Sequence, residues 1–220
     1  MAIARFKDLC VDAGDPARLG AFWAAAADRT LEIKDGSYLL TGPTPRHTIW
    51  VNKVPEARTV KHRAHLDVYT RTLEELEALG ATVLQRRSHW TIMGDPEGGE
   101  FCAFLRADPP AEKLHGLVVD SADPEAQARW WGEVYGTGVT ANDGWFTLEG
   151  IPGMPMRTMD FVPVPEPKVV KNRVHWDVTV PDVAPLIEAG ATLLREPDDD
   201  VGWHVLSDPE GNEFCAFTVA

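Results

Sequence analysis

Cysteine is scarce, with three residues in a chain of 220. So small and odd a number excludes a disulfide framework, and a reduced, cytoplasmic setting fits best. Long apolar runs are missing too. None approaches the ~18 residues that cross a bilayer, so neither a transmembrane helix nor a membrane partner is expected. The opening MAIARFKDLCVDAGDP lacks an apolar h-region and reads as a strand, not a secretion signal. Positive charge is in short supply: 21 Lys and Arg stand against 34 Asp and Glu, a net charge of −13. That balance gives no basic face for polyphosphate, so nucleic acid is not expected as a partner. There is no Gly-rich phosphate loop, no Ser/His/Asp order and no CxxC zinc spacing, and Asp198–Asp200 reads as a solvated loop.

What is present is repetition. VDAGDPARLGAFW (11–23) matches VDSADPEAQARWW (119–131), and HLDV (65–68) matches HWDV (175–178). LGAT (79–82) matches AGAT (189–192), and GDPEGGEFCAF (94–104) matches SDPEGNEFCAF (207–217). The landmarks keep their order, so the chain is a tandem duplication: 1–107, a short linker 108–113 (DPPAEK), and 114–220. The halves differ in charge, with 14 basic and 15 acidic groups in residues 1–110 and 7 and 19 in 111–220. Two units so unequal need not share a ligand.

Each unit reads as strand, helix and three strands, twice over. Asp15-Pro16 and Asp123-Pro124 open helices with an N-cap and a proline at the first helical position. Leu19, Phe22, Trp23 and Ala26 form an apolar stripe, and Trp130, Trp131 and Val134 a matching one, so these tryptophans belong to the core. Thr72-x-x-Glu75 is a capping box, and Asp95-Pro96-Glu97-Gly98 a tight turn that recurs at Asp208–Gly211. Helices on one side of mostly antiparallel strands place the chain in the α+β class. Whether the modules pair within a repeat or across repeats is left open.

Strand alternation puts His65, Asp67 and Tyr69 on one face, and His175, Asp177 and Thr179 on the matching one. Glu100 shares a face with Cys102 and Phe104, and Glu213 with Cys215 and Phe217. A carboxylate among such neighbours needs a partner. Three readings of each His/Glu set stand side by side: hydrogen-bonded structural groups, ligands of a divalent metal ion, or a general acid/base pair. Cys10, Cys102 and Cys215 read as buried strand residues rather than nucleophiles.

The D-P-x-x-x-x-x-(F/W)-W helix start, the K-x-R-x-H-x-D-V strand (61–68 and 171–178) and the terminal D-P-E-G-x-E-F-C resemble the vicinal oxygen chelate superfamily, in its glyoxalase-like, bleomycin-resistance-like domains. The resemblance implies tandem glyoxalase-like domains, each built of two βαβββ modules that form a cupped mixed sheet around a ligand. Metal-dependent members use four cup positions. Here the fifth-strand position falls on His65 and His175, the last-strand position on Glu100 and Glu213, and the fourth on Trp50 and Asp160. The first falls on Asp8 and on Gly116, next to His115, which a one-residue bulge would turn into the cup. The metal sets so implied are Asp8, His65 and Glu100 in the first unit and Asp160, His175 and Glu213 in the second. With the bulge, His115, His175 and Glu213 would form a two-histidine, one-carboxylate set.

Trp50, Trp90, Trp145 and Trp203 fall on strands that the family places around the cup, where aromatic walls suit a flat organic ligand. Tyr69, Asp67 and Asp177 share the faces that would line it. The function expected first is a small-molecule-binding protein of the glyoxalase/bleomycin-resistance type, enclosing an aromatic or amphipathic molecule. The alternative is a metal-dependent lyase, isomerase or dioxygenase centred on the second unit, in which Glu213 or Glu100 moves a proton. Either would act on a small organic molecule, as a monomer or homodimer.

Overall fold

Local signals set the main helices. The Asp15 carboxylate accepts from the Arg18 amide at 3.1 Å, and Asp123 accepts from Ala126 at the same distance. Thr72 accepts from the Glu75 amide at 3.3 Å. In this computed structural model, which describes residues 2–219, four βαβββ modules follow one another. The first is β1 (Arg5–Ala13), α1 (Pro16–Ala27), β2 (Thr30–Lys34), β3 (Ser37–Thr41) and β4 (Ile49–Lys53). The second is β5 (Ala64–Thr70), α2 (Leu73–Ala78), β6 (Thr82–Arg86), β7 (Thr91–Gly94) and β8 (Glu100–Leu105). The third is β9 (Leu114–Ser121), α3 (Pro124–Tyr135), β10 (Val139–Ala141), β11 (Phe146–Glu149) and β12 (Thr158–Pro163). The fourth is β13 (Val174–Val180), α4 (Ala184–Glu188), β14 (Thr192–Arg195), β15 (His204–Ser207) and β16 (Glu213–Thr218). Among the described residues no helix is long and apolar enough to cross a membrane.

The strands form two eight-stranded mixed sheets, as the α+β reading expects, but each sheet takes one module from each sequence repeat. The first sheet runs β14-β15-β16-β13-β1-β4-β3-β2 and joins the first and fourth modules. The second runs β10-β11-β12-β9-β5-β8-β7-β6 and joins the third and second. Their centres are the antiparallel pairs β1–β13, with Cys10 opposite His175, and β5–β9, with His65 opposite Val118.

One continuous core lies between the sheets, filled by the helices. Phe22 and Trp23 of α1 meet Phe101 of β8 in the other sheet, at ring separations of 5.6 and 5.3 Å. Trp131 of α3 reaches across to Trp176 and Phe214 at 5.0 and 5.1 Å. Alternation then sorts the strands: Leu66, Val68, Trp176 and Val178 belong to the core, so His65, Asp67, His175 and Asp177 lie on the outer faces.

The repeated motifs are largely ties between modules. Lys171 pairs with Asp12 at 2.6 Å and Lys61 with Asp120 at 2.5 Å, each across the centre of a sheet. Glu97, in the turn before β8, accepts from the Gly14 and Asp15 amides at 2.9 and 2.7 Å and pairs with Arg173 at 3.2 Å. Glu210 does the same with Ala122, Asp123 and Arg63, at 3.1, 2.7 and 3.7 Å. These glutamates link one sheet to the other.

Candidate functional site

Two outer faces carry the chemistry. On the second sheet, β5 presents His65, Asp67 and Tyr69 beside Cys102 and Phe104 of β8. The His65 Nε2 lies 3.6 Å from the Cys102 thiol and 3.9 Å from the Asp67 carboxyl. The pairing of β5 with β9 skips His115, because Asp67 stands opposite Gly116 and Val68 opposite Leu114. This bulge sets His115 against Tyr69, with 2.9 Å between the Tyr69 hydroxyl and Nδ1 and 4.7 Å between ring centres. Phe104 packs 5.7 Å from His115 and 6.3 Å from Tyr69, and Trp90 stacks on Phe104 at 6.2 Å with 37 % of its surface exposed.

On the first sheet, the donor group is Cys10, His175 and Asp177, with Cys215 beside them. The Cys10 thiol donates to Asp177 over 3.6 Å, and Asp177 stands opposite Cys215 in the ladder. A matching bulge occurs between Phe6 and Leu9. It places Lys7 over the Phe217 ring at 4.1 Å, paired with Asp8. Trp203 stacks on Phe217 at 5.1 Å.

Burial governs the protonation of both groups. It lowers His175 to about 4 and His65 to about 3, so both imidazoles are neutral near pH 7. It raises Asp177 to about 7, with Asp8 adding to the rise and Lys7 opposing it. Asp67 is pushed well above the usual carboxylate range by burial, then by the charge of Asp160. The three cysteine thiols are pushed up, again chiefly by burial. His115 is lowered by partial burial. Several polar atoms here lack partners: Nδ1 of His65 and His175, and Oδ1 of Asp67 and Asp177.

The fold redistributes the residues singled out from sequence. Asp8, Trp50, His175 and Glu213 lie on the first sheet, and His65, Glu100, His115 and Asp160 on the second. The unit-by-unit sets are therefore not assembled. Asp8 is separated from His65 and Glu100, and Asp160 from His175 and Glu213. The bulge at His115 is present, yet it faces a different sheet from His175 and Glu213. The reason is the pairing of strands across repeats.

The four positions that the resemblance assigns to a metal do not offer a free set on either face. On the first sheet Trp50 carries no ligand atom and donates to Asp8 at 3.4 Å, and Glu213 is held by Lys168 at 2.7 Å and the Asn172 amide at 3.1 Å. On the second sheet the first position is Gly116. Glu100 is held by Arg58 and the His62 amide, both at 3.1 Å, while Asp160 accepts from Thr158 at 2.7 Å and from Thr147. Among the described residues, the metal-capable groups are Cys10–His175–Asp177 and His65–Asp67–Cys102. Sequence reasoning marks these cysteines only as buried strand residues. The signal that finds them is alternation, since Cys102 shares a face with Glu100 and Cys10 with Asp8, both already singled out.

Of the four tryptophans expected on strands, only Trp50 lies within one. Trp90, Trp145 and Trp203 each precede a strand, at the mouth of a turn. A cavity of about 330 Å³ lies elsewhere, between the segments 54–63 and 170–173, and none of these tryptophans lines it. Its cations Arg58, Lys61, Arg63, Lys171 and Arg173 are each paired with a carboxylate, so it belongs to the ties between modules.

A family model described as "Glyoxalase-like domain" matches residues 8–104 and again 116–217. No curated protein matches the chain. Among solved structures, glyoxalase I from Zea mays superposes with a TM-score of 0.71 at 14 % identity, covering 98 % of this chain and 92 % of that one. A putative dioxygenase from Bacillus subtilis superposes with a TM-score of 0.61 at 13 % identity, covering 98 % and 86 %. At these identities the likeness is one of fold.

Proposed function

The chain belongs to the family of glyoxalase-like domains, and from that premise we propose that it binds a small aromatic or amphipathic organic molecule against the outer face of the second sheet. One observation carries the reading. Four rings, Tyr69, Trp90, Phe104 and His115, cluster there, with the Trp90 ring partly open to solvent. Exposed aromatic surface beside a few polar groups is what a flat ligand needs. At the matching place on the first sheet, Thr179 replaces Tyr69 and Lys7 replaces His115, so only Phe217 and Trp203 remain. The protein would act as a binder that holds its ligand without turnover.

Calorimetry and tryptophan fluorescence against a panel of planar aromatic compounds test this. Trp90→Ala is expected to weaken binding about tenfold, the size of one lost stacking contact. Trp203→Ala, on the other sheet, should leave it unchanged. Absence of affinity across the panel, or equal losses in both variants, counts against the reading.

A metal-dependent lyase, isomerase or dioxygenase is the second reading. The specific observation in its favour is the pair of buried His–Asp–Cys groups, one per sheet. A bound divalent ion would polarise a substrate oxygen. Metal-dependent turnover of an organic substrate, lost in Asp177→Asn with the fold intact, would favour it.

A further inference from the structure

We propose that the aromatic molecule bound by the second sheet is an anion, a planar carboxylate whose charge is taken by Arg106. This rests on the binding reading above and deepens it. Stacking on rings does not by itself set the charge of a ligand. The guanidinium held beside the rings does.

Arg106 lies two residues beyond Phe104, so strand alternation puts it on the face of Cys102 and Phe104. Its backbone amide donates to the Thr70 carbonyl at 2.9 Å, which ties the residue to the end of β5. The guanidinium carbon sits 5.0 Å from the centre of the Tyr69 ring, a cation–π contact that holds the exposed group against the aromatic cluster. Nη1 donates to the Leu105 carbonyl at 2.9 Å, and among the described residues the guanidinium makes no other hydrogen bond and no ion pair. The edge formed by Nε and Nη2, two parallel N–H donors, is left for a carboxylate.

The surroundings agree in sign. The turn from β6 to β7, closed by the Arg87 amide donating to the Trp90 carbonyl at 2.9 Å, carries Arg86 and Arg87, and neither is in an ion pair among the described residues. The negative groups nearby are engaged: Asp160 accepts from Thr158 and Thr147, and Glu149 pairs with Arg157 at 3.0 Å. Burial pushes the Asp67 carboxyl up, towards its neutral form, and the charge of Asp160 adds to the rise. A cationic ligand would have to displace Arg106 from the Tyr69 ring, whereas an anionic one pairs with it.

The first sheet provides an internal contrast. Val219 takes the place of Arg106 there and donates its backbone amide to the Val180 carbonyl at 3.0 Å, so the backbone contact is kept and the charge is lost. The segment leading to Trp203 carries Glu196, Asp198, Asp199 and Asp200, with Arg195 paired to Asp198 at 2.6 Å. Lys7, over the Phe217 ring, is paired with Asp8. The two faces thus differ in the sign of charge they offer a ligand.

The test is calorimetric titration of the full chain, at neutral pH, with 2-naphthoate, neutral 2-naphthamide and cationic 2-naphthylmethylammonium. The carboxylate is expected to bind about fivefold tighter than the amide, the scale of one charge-assisted pair near the surface. That advantage should shrink as salt is raised. Arg106→Gln should abolish it and leave the affinity for the amide unchanged, which also shows that the variant is folded. Trp90→Ala should weaken carboxylate and amide alike. Equal affinity for carboxylate and amide, tighter binding of the ammonium compound, or a carboxylate preference that survives Arg106→Gln would each overturn the proposal and leave the aromatic site standing. Binding of none of the three would remove the site itself, and the proposal with it.

Discussion

Asp177 and His175 sit two residues apart on one strand and pull the pH dependence of stability in opposite directions. The folded form keeps the Asp177 proton up to about pH 7, whereas an unfolded aspartate releases it near 3.8. Between those values the native state binds more protons, so this group's contribution to stability falls as pH rises. The histidine works the other way. Unfolded imidazole takes up a proton near 6.5, the native one only near about 4, so stability falls as pH drops through that window. Asp177→Asn removes the first slope alone. Its stability relative to the parent is expected to improve between pH 4 and pH 7 by a few kcal/mol, at roughly 1.4 kcal/mol for each pH unit crossed. Urea titrations of the metal-free protein at pH 5 and pH 8 check this, and parallel behaviour of the two proteins would refute it. The histidine and aspartate were legible as face-sharing residues in the sequence. Their protonation was not, because it depends on desolvation by strands distant in the chain.

At the scale of elements, the turn before the last strand of the second module does more than reverse the chain. Glu97 of that turn accepts two amide hydrogens just ahead of α1 and pairs with Arg173. Removing it returns two solvent-reachable amides to water and takes the carboxylate from the mostly buried Arg173 guanidinium, which still donates to the Glu56 carbonyl at 2.7 Å. Glu97→Ala is expected to cost about 1–2 kcal/mol, seen as a lower urea midpoint with an unchanged slope. An effect below ~0.5 kcal/mol would mean that the tie is worth no more than a solvent-exposed ion pair. The turn itself was readable from Asp95-Pro96-Glu97-Gly98, as were the helix caps at Asp15, Thr72 and Asp123, because each uses atoms within a few residues. The partner of Glu97 was not, because it lies in a different module and a different sheet.

At the scale of the whole molecule, neither sequence repeat owns a complete sheet. Residues 1–107 supply β1 and β5, but their central partners β13 and β9 belong to 114–220. Each half alone would expose two long strand edges and part of the shared core, a condition that drives association. Fragments 1–107 and 114–220 produced together are expected to copurify in equal amounts with the native circular dichroism spectrum. Fragment 1–107 alone should self-associate or aggregate. A folded, monomeric 1–107 fragment would contradict the pairing. The internal duplication thus lets one chain satisfy both sheet centres that a single repeat leaves open.

Sequence alone determined the duplication, the α+β class, the strand and helix order and the faces on which His65, Asp67, His175 and Asp177 lie. These follow from periodicity and capping, which act over a few residues. Tertiary structure alone decided which modules meet, and with that which donors share a face. His115 went to Tyr69 and not to His175, and Cys10 went to His175 and Asp177. Strand pairing between distant segments is chosen by how the combined apolar surfaces close over the helices, a choice that no single segment encodes.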